Sequence, residues 1–122
     1  MTSQEQDNCV QNTEAERTRL IRDLNDKLRR ERIGGNLFVT GGICALGNSI
    51  VPQIIAAVTE FDDFTADNDP HGERDFGSLT VLGYRIFWKI DYYDADLKYG
   101  SPDPTDSDVT TRVQTIMLAH EY

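Results

Sequence analysis

The chain has 122 residues, 39% hydrophobic and 27% charged, with a net charge of −9. That length and composition describe one globular domain with enough material for a core without staples. A surface of that sign disfavours nucleic acid as a ligand of the whole face, because phosphate contacts need a positive field.

The charge is unevenly spread. Between Glu60 and Asp108 thirteen acids stand against Arg74, Arg85, Lys89 and Lys98, while the remainder balances eight acids with eight bases. From Arg17 to Arg32 seven bases accompany only Asp23, Asp26 and Glu31. The chain therefore reads as a basic helix followed by an acidic second half. Cys9 and Cys44 are far apart and have no metal-ligand spacing, which points to a reducing cytoplasm and not to a disulfide framework. The start, "MTSQEQDN", lacks the basic flank and apolar run of a signal peptide. No stretch approaches the ~20 apolar residues that span a bilayer.

Residues 1–12 are polar and are expected to form a disordered tail before a single domain over 13–122. Leu20, Ile21, Leu24 and Leu28 form a helical stripe between Thr13 and Arg32, with its arginines on a solvated face. Thr13 and Glu16 spell a capping box, and Gly34-Gly35 a stop. "NLFVT" predicts a short strand. A second helix is expected from about Asn48 to Phe61, with Ile50, Val51, Ile54, Ile55, Val58 and Phe61 inward and Pro52 tolerated in the first turn. Residues 76–82 and 84–93 predict a hairpin turning at Leu82-Gly83, with Gly77 facing Trp88, Leu79 facing Ile86 and Val81 facing Tyr84. On its other face Arg74 is expected across from Asp91, and Phe76 near Lys89. "DADLKYGSPDPTDSD", residues 94–108, reads as loop. Asp106 is then expected to cap a last helix with Val109, Val113, Ile116 and Met117 inward. The order α-β-α-β-β-α predicts an α+β fold: a small antiparallel sheet with helices on one face.

The stretch "DNDPHGERDFG", residues 67–77, is the densest in chemistry-bearing side chains. Asp67, Asp69, His71 and Gly72 match the opening of an EF-hand loop, but Ser78 stands where its bidentate carboxylate is required. Asp69, His71, Glu73 and Asp75 alternate, so in an extended segment they would point the same way and could ligate a metal for hydrolysis. Without metal, His71 flanked by Asp69 and Glu73 suits acid–base work. The structural alternative is a turn around Pro70 and Gly72. No nucleophile elbow or phosphate-binding glycine loop is present, and Cys44 in "GGICALG" has the apolar neighbours of a buried residue. No cofactor is expected.

The blocks "FDDFTADNDPHGERDFG", "FWKIDYYD", "YGSPDP" and "VTTRVQTIMLAHEY" resemble an uncharacterised small-protein family of alphaproteobacteria, a domain of unknown function. The resemblance covers residues 16–122. In the pattern it resembles a second histidine occupies the Arg74 position, and the arginine here weakens the metal reading. The resemblance implies no activity. It implies a setting on plasmids and mobile elements near antirestriction-type genes, hence an accessory anti-defence role.

Joined to the acidic half, that setting gives the leading expectation. It is a non-enzymatic inhibitor that binds a host defence nuclease or surveillance complex and makes no contact with nucleic acid or membrane. Asp62, Asp63, Asp67, Asp69, Glu73, Asp91, Asp94 and Asp96 would occupy the partner's basic groove, with Tyr93 and Tyr99 as anchors. The competing expectations are a metal-dependent hydrolase built on residues 67–75 and a homodimeric structural protein pairing through a sheet edge or the basic helix.

Overall fold

The computed structural model describes residues 13–122; the expected tail over 1–12, with Cys9, lies outside the described residues. The described elements are α1 (Glu14–Glu31), β1 (Gly35–Val39), α2 (Gly41–Cys44), α3 (Val51–Glu60), β2 (Phe76–Val81), β3 (Tyr84–Tyr93), β4 (Thr111–Leu118) and a 3-10 turn (Ala119–Glu121). They form a single α+β domain around a mixed sheet of order β1-β4-β3-β2, in which β1 runs parallel to β4 and the other pairs are antiparallel.

Local chemistry explains the boundaries. Thr13 Oγ1 accepts from Glu16 N–H at 3.0 Å and Glu16 Oε1 accepts from Thr13 N–H at 2.9 Å, so the capping box satisfies two donors at the start of α1. α1 ends where Arg32, in the left-handed region, donates its N–H to Leu28 and Lys27 carbonyls. Pro52 is tolerated in the first turn of α3, where an N–H would have no helical partner. Leu82 and Gly83 both have positive φ, the twist a two-residue hairpin turn demands. The turn sets Gly77 opposite Trp88, Leu79 opposite Ile86 and Val81 opposite Tyr84.

Register then decides the layers. Ile86, Trp88 and Ile90 of β3 share a face with Ile116 of β4, and Leu28, Ile43, Ile54 and Val58 from the three helices cluster against it. Burying each of these aliphatic side chains contributes roughly 1.5–3 kcal/mol. The opposite, more open face is covered only in part: Phe76, Phe87 and Tyr122 pack edge to face at one corner at 5.3–5.8 Å, and Val113 and Met117 of β4 are buried on it, while Phe38 of β1 is exposed.

Several expectations are corrected. The last helix is instead β4: Asp106 caps no helix and accepts from Asp108 N–H within a turn. Val113 and Met117 lie on the open face yet are buried, and Arg112, Gln114 and Ile116 are buried on the helix side. A strand buried on both sides loses its alternation, and its apolar residues then mimic a helical spacing. A short helix, α2, follows β1, and it leaves Cys44 exposed instead of buried. The inward stripe of α1 is Ile21, Asn25, Leu28 and Arg29, while Leu20 is 42% exposed. Arg74 pairs with Asp26 at 3.0 Å, and Asp91 with Lys89 at 2.9 Å, so the expected Arg74–Asp91 pair does not form. No helix among the described residues is long and apolar enough to cross a membrane.

Candidate functional site

β1, β2 and β4 begin, and β3 ends, at the same end of the sheet. The two long loops, residues 61–75 before β2 and 94–110 after β3, are therefore gathered there. Nearly all the acids of the second half belong to these two loops, so chain topology concentrates them at one end.

α1 holds both loops. Arg17 Nη2 donates to Asp103 Oδ1 at 3.0 Å on one side, and Arg22 Nη1 reaches the Gly72 carbonyl at 3.5 Å on the other. Beneath them runs a buried polar relay. Asn25 Nδ2 donates to the Glu73 carbonyl at 2.9 Å and to Tyr92 Oη at 2.8 Å; Tyr92 Oη–H donates to Glu73 Oε1 at 2.8 Å. Arg112 Nε donates to Asn25 Oδ1 at 2.9 Å, its Nη2 donates to the Pro104 carbonyl, and its guanidinium stacks on Tyr92 at 5.1 Å. One relay thus ties the first loop through Glu73 and the second through Pro104. Fully paired polar groups in a low-dielectric interior fix geometry. Burial raises the Tyr92 hydroxyl well above its usual range, so it stays protonated as the donor to Glu73.

The alternating row at residues 69–75 does not converge. Gly72 and Arg74 have φ of 72° and 54°, which breaks the extended backbone that alternation presupposes. Asp69 Oδ1 accepts from Arg74 N–H at 3.1 Å, Glu73 is bound to Tyr92, and His71 is exposed on the wall of a cleft of about 620 Å³ shared with Arg19 and Arg22. Among the described residues no three His, Cys, Asp or Glu side chains are grouped to hold a metal ion. The loop turns around Pro70 as expected, Gly72 N–H donating to the Asp69 carbonyl at 3.1 Å with Gly72 at positive φ, and in a turn before it Thr65 and Asn68 exchange side-chain and main-chain hydrogen bonds at 2.7 and 3.2 Å.

Asp75 ends this segment, its carbonyl accepting from Ile90 N–H at 2.8 Å. Burial raises its carboxyl pKa, and Glu73 and Asp69 push the same way. The folded state thus binds its proton more tightly than the unfolded chain. The resulting stability is fully present below the unfolded pKa and is lost as pH rises through the folded value. Asp75→Asn should therefore raise the melting temperature at pH 7, and the gain should vanish in acid. Thermal melts across pH 3–8 check this; a variant less stable than wild type at neutral pH refutes it.

The remaining expected contact residues divide into two groups. Asp62, Asp63, Asp67, Asp96 and Tyr99 are exposed on the two loops. Asp69 and Glu73 are turned toward their own loop and the relay, Asp91 is engaged by Lys89 on the open face, and Tyr93 is half-buried at the end of β3. Asp94 organises its loop: its N–H donates to the Tyr99 carbonyl at 2.8 Å, its carbonyl accepts from Leu97 N–H and its carboxylate from Lys98 N–H. That tight turn leaves Leu97 54% and Tyr99 75% exposed. Sequence reading missed Leu97 and the entire relay of Asn25, Arg112 and Tyr92. The one signal for the relay was a polar Asn25 at helical spacing between Ile21 and Leu28.

No curated protein and no solved structure matches the chain. A family model does match, over residues 39–121, taking in the second and third helices, the end of β1 and all of β2, β3 and β4. The acidic end, its two loops and most of the relay lie within that match, and the chain belongs to the family described as protein of unknown function, DUF3768.

Proposed function

We propose that this is a small acidic binding protein whose loop end docks in the basic groove of a protein that handles nucleic acid. The observation that carries the reading is the hydrogen-bonded turn at residues 94–99, which exposes Leu97 and Tyr99 directly after Asp94 and Asp96. Apolar and aromatic anchors ringed by charge suit a protein interface: the anchors hold, and the charges orient and speed the encounter. Because the relay fixes both loops before contact, little ordering entropy opposes binding. The target class is drawn from the alphaproteobacterial, mobile-element setting implied by the sequence resemblance. It is a host defence nuclease or surveillance complex, met in the cytoplasm.

The test pairs capture from a bacterial lysate with rate measurements on the captured protein. Asp62, Asp63, Asp67 and Asp96 are exposed, and among the described residues nothing donates a hydrogen bond to their carboxylates; changing all four to Asn should slow association and flatten its salt dependence. Tyr99→Ala should instead speed dissociation, by an amount equivalent to ~2 kcal/mol if it is a central anchor. A partner that binds both variants at wild-type rates, or no partner at all, defeats the reading.

A further inference from the structure

We propose that the free edge of β1 is a self-pairing surface: a second copy of this chain adds its own β1 antiparallel about a two-fold axis at Phe38, joining two four-stranded sheets into one. β1 is an outer strand, and among the described residues nothing pairs with its far edge. Thr40 N–H donates to the Ile116 carbonyl at 3.1 Å. Alternation along a parallel ladder then turns the amides of Asn36 and Phe38 toward β4 and leaves those of Leu37 and Val39 pointing outward. Exposed edges are normally blunted by a charge, a proline or a bulge. "GNLFV" has no charge and no proline, and Phe38 is 57% exposed on the open face.

The strip is complementary to itself. With the axis at Phe38, Leu37 exchanges main-chain hydrogen bonds with Val39 of the second copy, and the reverse pair does the same. On the helix side these half-buried residues, already packed on the core, extend it. On the open side the two Phe38 rings meet as a cross-strand aromatic pair. Asn36 meets Thr40, so no charge faces another.

Electrostatics selects the second copy and its direction. Two chains of net charge −9 repel, yet β1 begins at the acidic end. Antiparallel pairing sends the two acidic ends to opposite extremes of the joined sheet. Residues 35–39 carry no charge, and the Glu121 carboxylate at the end of the strip is already held by Thr40 Oγ1 and Gly42 N–H, so the edge offers an oppositely charged partner little to read. The pairing is independent of the acidic-end reading, and salt acts on it in the opposite sense, screening repulsion instead of attraction.

Sedimentation equilibrium of the full chain tests this, with dimer expected at ~100 µM, where a micromolar Kd is saturated, and with tighter association as salt rises. Phe38→Lys should give a monomer whose melting curve matches wild type at concentrations well below the Kd, where association stabilises neither chain. In a Cys9→Ser, Cys44→Ser background, Phe38→Cys should yield a covalent dimer under mild oxidation. Facing residues of a non-hydrogen-bonded pair lie ~4.5 Å apart at Cα, within disulfide reach. Asn36→Cys should not cross-link, because its equivalent in the second copy lies four residues out of register. A wild-type chain that stays monomeric, a dimer that survives Phe38→Lys, or equal cross-linking through residue 36 overturns the proposal.

Discussion

Arg29→Ala should destabilise the fold by ~3–5 kcal/mol, the range for breaking a buried ion pair from one side. Arg29 lies on α1 but is fully buried, and its work is done at another helix. Its Nη1 donates to the carbonyls of Val58, Thr59 and Phe61 at 3.3, 3.2 and 2.6 Å, and Nη2 to Asp26 Oδ1 at 3.1 Å. Those carbonyls belong to the end of α3, whose last turn has no basic residue of its own. Helix C-termini leave carbonyls without helical partners, and here the guanidinium from α1 supplies the donors and opposes the negative end of the dipole. The same group stacks over Phe64 and Trp88 at 5.3 and 5.2 Å. Burial lowers its pKa, while the Asp26 carboxylate favours the charged form. Alanine would take this donor from the Thr59 and Phe61 carbonyls, with Val58 keeping only the Phe61 N–H at 3.3 Å, and would leave Asp26 with Arg74 alone. Lysine should not rescue, because one ammonium lacks the planar fork that reaches carbonyls and carboxylate together. Urea denaturation measures the loss, a large share of a domain's ~5–15 kcal/mol. A change below ~1 kcal/mol, typical of surface sites, would refute this role.

Trp88→Ala should cost a similar ~3–5 kcal/mol, through lost burial and a cavity. Trp88 is fully buried and meets Phe61 and Phe64 edge to face at 5.8 and 6.1 Å. Its ring lies over Gly77, where an added Cβ would run into the indole nitrogen. Gly77 is thus the space that the indole fills. Gly77→Ala should therefore cost ~1–3 kcal/mol by overpacking, and that penalty should disappear when Trp88 is already alanine. A double-mutant cycle read by denaturation isolates this coupling. Purely additive losses would show that the ring and the glycine are not packed as one unit. Trp88 Nε1 has no hydrogen-bond partner in its buried position. Trp88→Phe, which removes that unpaired donor along with part of the ring, should consequently lose less than alanine does.

Local features were legible wherever the information was local. The Thr13–Glu16 box marked the start of α1, and Leu82-Gly83 marked the turn between β2 and β3. From that turn, alternation carried the pairing out to Gly77 and Trp88, because β3 is buried on one face and part-exposed on the other. The acidic composition of the two loops was equally plain in the residues themselves.

What the tertiary structure decided depends on neighbours distant in the chain. β4 is central in the sheet and buried on both faces, so no alternation distinguishes it from a helix until β1 and β3 are in place. Asn25 and Arg29 face inward because Glu73, Tyr92 and the end of α3 offer them partners 29 to 67 residues away. The Asp69–Asp75 row failed as a ligand set because two left-handed residues, Gly72 and Arg74, turned a spacing of two into divergent directions. The sequence by itself determined caps, turn and charge, which are properties of adjacent residues. Burial, polar pairing and the gathering of two acidic loops at one end arise when strands far apart in sequence are brought side by side, and local chemistry does not encode that step.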